Sequence, residues 1–146
     1  MLGGLKNYSA AEAIINLYRN TPFKYGTFDC WMFSKQVIEA YHGIKIDIAP
    51  DYNGTPGSIR KIFKRLKVKN LNQCLEKIAD SYNWKEIKTE FVQPFDLILL
   101  KINDKYFAGV SNIKDCLSSG KIGLIAVPKK HIVRAWRISE HSWEIQ

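Results

Sequence analysis

In the first half of the chain apolar residues recur at helical spacing, and in the second half they alternate. Ser9-Ala10-Ala11-Glu12 has the form of a capping box, with a serine accepting from the amide three residues on while the glutamate reaches back. It predicts a helix with Ala13, Ile14, Leu17 and Tyr18 on one side, ending near Thr21-Pro22. Phe23 to Phe28 is an aromatic loop hinged at Gly26. Asp29 suits the N-cap of a second helix with Cys30, Phe33, Val37 and Tyr41 in a stripe and Ile38 beside it; Gly43 is its stop. Ile44 to Gly54 is a loop whose turn formers are Asp47, Pro50, Asp51, Asn53 and Gly54. Thr55-Pro56 then opens a third helix with Ile59, Ile62, Phe63 and Leu66 inward. A fourth covers about Leu71 to Tyr82.

From Trp84 onward the period is two. The expected strands are Trp84–Ile87, Asp96–Lys101, Lys105–Ser111, Gly123–Val127 and Val133–Ile138, with hairpin turns at Asn103-Asp104 and Ser118-Ser119-Gly120. Helices first and strands later give an α+β fold, N-terminal helices packed on a C-terminal antiparallel sheet, rather than an alternating α/β one. Residues 1–146 read as a single domain, with a tail at about 139–146 outside the pattern.

Composition narrows the picture. A hydrophobic share of 46% with 25% charged residues is an ordinary globular mixture. Three cysteines, Cys30, Cys74 and Cys116, are too few and too widely spaced for a disulfide framework or a zinc signature. No cofactor is implied. Met1 to Lys6 carry neither a basic nor a long apolar stretch, so no secretory signal is expected; apolar runs such as Leu97 to Leu100 are too short for a membrane span. The net charge of +8 permits an acidic partner.

One residue carries candidate chemistry. Cys30 falls at the first turn of its helix, where free amides and the helix dipole favour a thiolate, an effect that Asp29 partly opposes. A nucleophile on an early helix and a base on later strands is the arrangement of a Cys/His hydrolase. Pro22-Phe-Lys-Tyr-Gly-Thr-Phe-Asp-Cys30 resembles the pre-nucleophile segment of the papain-like NlpC-type peptidases, and Pro94-Phe-Asp-Leu-Ile-Leu-Leu100 resembles their Gly-Asp-Leu strand. A branch of that superfamily from tailed phages and gene-transfer particles is more similar still. It shares the Tyr-Gly-x-x-Asp-Cys segment, a Gly-Leu-Ile-Ala-Val-Pro stretch (Gly123 to Pro128) and an Ala-Trp-Arg ending (Ala135 to Arg137). The resemblance spans roughly Pro22 to Ile138 and implies a papain-like fold with Cys30 in the nucleophile position.

The same resemblance exposes a departure. The strand after Gly-Asp-Leu begins with the catalytic histidine in active relatives; here Lys105-Tyr-Phe-Ala-Gly-Val110 puts Tyr106 or Phe107 in that place. Trp31-Met32 also replaces the family's small residues after the cysteine. His42 is twelve residues along the same helix, roughly 18 Å from Cys30 at 1.5 Å per residue. His131, after Pro128-Lys-Lys, is the remaining candidate base, and His141 lies in the tail. Without a base, a free cysteine is a small core hydrophobe. Cys74 and Cys116 read as packing residues, Asp96 as a turn cap and Trp136 as a core-facing strand residue.

Arg60 to Lys69 holds six cations in ten residues, enough for phosphate contacts, but the aromatic among them, Phe63, is on the inward side and no nucleic-acid motif is present. The expected function is a phage or phage-derived virion protein of the tail or tail tip, assembled in the host cytoplasm. It would have a degenerate hydrolase site and would meet other virion subunits through Arg60–Lys69. The alternatives are an active cysteine hydrolase of peptidoglycan, with Cys30 as nucleophile and His131 as displaced base, and a basic nucleic-acid-binding module.

Overall fold

A computed structural model describes residues 6–138; His141 and the tail lie outside them. Four helices come first, α1 (Tyr8–Tyr18), α2 (Cys30–His42), α3 (Pro56–Leu66) and α4 (Leu71–Ser81). Six strands follow, β1 (Lys85–Ile87), β2 (Leu97–Ile102), β3 (Lys105–Ser111), β4 (Cys116–Ser119), β5 (Leu124–Val127) and β6 (Ile132–Arg137). They form one antiparallel open sheet in the order β1-β6-β2-β3-β4-β5. The fold is α+β, as the change of period near Trp84 requires.

Local chemistry explains most boundaries. Asp29 caps α2 by accepting from the Met32 amide at 2.8 Å, and Gly43, at φ 65°, ends it. Thr55 caps α3 by accepting from Ser58, with Pro56 at the first helical position. Asn103 and Asp104 both have positive φ, 51° and 64°, which is the twist a two-residue hairpin needs between β2 and β3.

Two expectations need correction. The cap of α1 is Asn7, which accepts from the Ala10 amide, not Ser9. Its buried face is therefore Ala11 and Ile15, flanked by Ile14 and Tyr18, and Leu17 is 64% exposed. Ser118 and Ser119 are not a turn but belong to β4, with the turn at Gly120 to Gly123. Buried serines conceal a strand because a hydroxyl breaks the apolar signal while satisfying itself locally: the Ser118 hydroxyl donates to the Ala108 carbonyl of β3 at 2.9 Å.

α2 lies across the sheet, where Phe33, Val37 and Ile38 share a core with Leu97, Leu99, Ala108 and Val110. A smaller cluster, Ile98, Leu100, Ala135 and Ile132, fills the opposite face. The Ala135-Trp136-Arg137 ending ties into the start of β2. Trp136 is 2% exposed in the main core, and the Arg137 guanidinium donates to both oxygens of buried Asp96 at 3.0 and 3.2 Å. Asp96 also accepts from the Gln93 amide, which makes it the turn cap expected of it.

Removing the Phe33 ring should lower unfolding free energy by about 3–5 kcal/mol, whereas Leu17→Ala on the exposed side of α1 should stay within about 0.5 kcal/mol. Urea unfolding of the two variants checks this; a large loss for Leu17→Ala would place α1 the other way round.

Candidate functional site

The loop before α2 is shaped by two glycines. Gly26 and Gly54 have φ of 81° and 84° and meet back to back. A Cβ on Gly26 would stand 2.2 Å from the Asn53 carbonyl oxygen, and one on Gly54 2.4 Å from the Gly26 nitrogen. Only glycine combines that backbone conformation with that approach. The contact brings the Tyr25-Gly26 turn against the loop that carries Tyr52.

Asp29 locks the junction. Besides capping α2 with Oδ1, its Oδ2 accepts from the Gly26 amide at 2.7 Å and from the Tyr52 hydroxyl. Asp29 is 3% exposed; burial, reinforced by this carboxylate, drives the Tyr52 phenol well above its usual range. Tyr52 stands among turn formers, and nothing in the local pattern marks it as a partner of Asp29. It is the site residue that sequence reasoning missed.

Cys30 follows at the first position of α2, with its sulfur turned toward β3, where the Ala108 amide points at it from 3.4 Å. Burial, reinforced by the neighbouring Asp29 charge, pushes the thiol from an ordinary 9.0 up to about 11; the amides of the helix start and of Ala108 pull it down and lose. The thiolate favoured by the helix position alone is thus not the resting form. Tyr106 and Phe107 pack on opposite sides of β3. Tyr106 packs on the helix side of the sheet with the main core, and Phe107 on the far side with the smaller cluster.

Between α2, α3, α4 and β3 lies a cavity of about 240 Å³ with Cys30 in its wall. Trp31, Tyr52, Phe63 and Tyr106 surround it, and Ile62, Cys74 and Leu75 are buried behind. No described histidine lines it. His42 is buried at the far end of α2, with Nε2 3.1 Å from the Phe95 carbonyl. His131 sits in the 3-10 turn Lys129–His131 ahead of β6 and does not line the cavity that Cys30 borders. Cys74 and Cys116 are buried free thiols, both pushed up to about 11 chiefly by burial. Among the described residues no group of acidic, histidine or cysteine side chains could hold a metal ion, and no helix is long and apolar enough to cross a membrane.

The second candidate surface is α3. Arg60, Lys61 and Lys64 are exposed along it. Arg65 is not free to dock, because it pairs with Asp51 at 2.9 Å and donates to the Ile48 carbonyl.

Residues 5–138 match the family described as Domain of unknown function (DUF6950). The chain belongs to that family. The match takes in every helix and strand described above, including Cys30, Asp29, Tyr52 and Tyr106, so cavity and sheet fall within one family unit. No curated protein matches the chain.

The raised thiol has a measurable signature. A pKa two units above the ordinary value leaves about a hundredfold less thiolate at neutral pH. Alkylation of Cys30 by iodoacetamide in the folded protein should then be about a hundredfold slower than in the urea-unfolded chain, rising tenfold per pH unit until near pH 11. Because the folded thiol keeps its proton where the unfolded one loses it, its contribution to stability is complete below pH 9 and fades toward pH 11. A native rate equal to the unfolded one at neutral pH would show an unshifted, accessible thiol, and a faster one an activated cysteine.

Proposed function

We propose that the chain is a virion component of a tailed phage or a phage-derived particle, built on an NlpC-type papain-like domain whose hydrolase site no longer works. The observation that carries the degenerate site is the wall of the cavity: a protonated Cys30 thiol faces β3, Tyr106 stands on the helix side of that strand, and no described imidazole is present. Neither a phenol nor a phenylalanine can accept a proton from a thiol near neutral pH.

The papain-like reading draws support from how the resembling motifs sit together. The Asp-Cys pair opens a helix that packs on an antiparallel sheet, as a nucleophile helix would. Phe95 occupies the place of the glycine in Gly-Asp-Leu and has φ 65°, a backbone conformation natural to glycine and costly for a bulky residue. Its amide donates to the Ser111 carbonyl at 2.8 Å, and its own carbonyl meets His42. The Ala-Trp-Arg ending is bonded to the following aspartate, Asp96. The virion assignment itself rests on the similarity of these motifs to the phage and gene-transfer branch.

Purified protein incubated with peptidoglycan should release no peptide fragments, and Cys30→Ala should behave identically. Wild-type release that disappears in Cys30→Ala would establish the active hydrolase instead.

For assembly, the exposed cations of α3 are the surface that fits an acidic neighbour. Reversing Lys61 and Lys64 to Glu, and leaving Arg65 on Asp51, should weaken incorporation into particles in a salt-sensitive way, since exposed charges are screened over about 8–10 Å at physiological salt. Folding stability should change by no more than about 0.5 kcal/mol. Normal incorporation, combined with salt-steep DNA binding that the reversal abolishes, would favour a nucleic-acid module.

A further inference from the structure

The cavity beside Cys30 holds one charge and a set of rings. Its walls include Tyr25, Trp31, Tyr52, Phe63 and Tyr106, and Asp29, at the start of α2, lines it as well. No described lysine, arginine or histidine lines it, and the described ion pairs do not involve Asp29. A buried carboxylate without a cationic partner leaves a negative potential, and that potential helps to hold the protons on Cys30 and Tyr52. Aromatic faces add to it, because the ring quadrupole is negative above the plane.

The hydrogen-bonding state of Asp29 selects among cations. An ionised carboxylate has about four acceptor sites. Three already receive Met32, Gly26 and Tyr52. Charge is on offer while acceptor positions are largely taken, which suits a cation that carries no N–H donors. At about 240 Å³ the space is smaller than that for drug-sized ligands and fits a compact head group; Tyr25, 64% exposed, marks the mouth. From outside the cavity, the Lys101 ammonium already lies 5.6 Å from the Tyr106 ring centroid.

We propose that this cavity binds a quaternary ammonium head group without covalent chemistry, with Asp29 as counter-charge and Tyr25, Trp31, Tyr52 and Tyr106 as its aromatic enclosure. The proposal rests on the reading of Cys30 as a wall thiol rather than a nucleophile. Choline titrated into the whole chain, followed by calorimetry, should bind saturably below about 10 mM. Its uncharged carbon isostere, with tert-butyl in place of trimethylammonium, should bind about tenfold or more weakly. Asp29→Asn keeps an equally good helix cap and should lose affinity to a similar degree, whereas Leu17→Ala, on the exposed side of α1 and away from the cavity, should retain it. Should Asp29→Asn fail to fold, the comparison of choline with its isostere on the wild type still decides. Phosphatidylcholine vesicles separate the sources: capture of vesicles as well as choline assigns a lipid, and choline alone a soluble ligand. No binding of either, or equal binding of the isostere, overturns the proposal. Cys30-dependent hydrolysis of peptidoglycan alongside intact choline binding would overturn the silent-site reading alone.

Discussion

The Asp29 carboxylate accepts from the Met32 amide of α2, the Gly26 amide of the preceding turn and the Tyr52 hydroxyl of the loop after α2. Three stretches of chain therefore share one buried anion, and the cavity exists because they do. Such a group is tolerated inside a protein only when donors surround it. The glycine pair at 26 and 54 lets those donors converge, since any side chain there would push the two loops apart. The same anion adds to burial in holding the protons on its neighbours, so the capping of a helix and the protonation of a thiol are linked here.

Placement at a helix start is often taken as enough to activate a cysteine. Cys30 illustrates the competition behind that rule: the dipole and amides act over one turn, while loss of water and an adjacent carboxylate act on the same sulfur in the opposite sense. Burial is the larger effect. A positively charged imidazole would reverse the balance, and the strand that could present one presents Tyr106.

Much of this was legible in the sequence, wherever a signal is local. Asp29, Gly43 and Thr55-Pro56 declared the bounds of α2 and the start of α3, and Asn103-Asp104 declared its hairpin. Asn7 was missed because Ser9 offered a competing cap two residues on, and that choice turned the apolar face of α1 toward Leu17. β4 was missed because buried serines break its apolar signal, and the bond from Ser118 to a neighbouring strand is a contact that periodicity does not register. The site was half legible. Cys30, Asp29 and the lack of a histidine follow from short motifs, but the Tyr52 bond to Asp29 joins residues 23 apart, and Arg65 is held by Asp51 across a loop. Pairings of that kind are set by how the loops fold over the cavity, not by spacing along an element.

The position of β6 has a consequence for how the chain emerges from a ribosome. β6 lies between β1 and β2, and among the described residues β1 has no other strand beside it. Until residues 132–137 have been synthesised, β1 lacks the strand it pairs with and the edge of β2 that β6 covers stays open, although the β2–β3 hairpin can close at once. Trp136 and Arg137 arrive with that last strand, so the main core lacks its largest buried side chain and Asp96 its counter-charge until then. The nascent domain is thus committed late, by a strand that seals the sheet from within rather than adding to its rim.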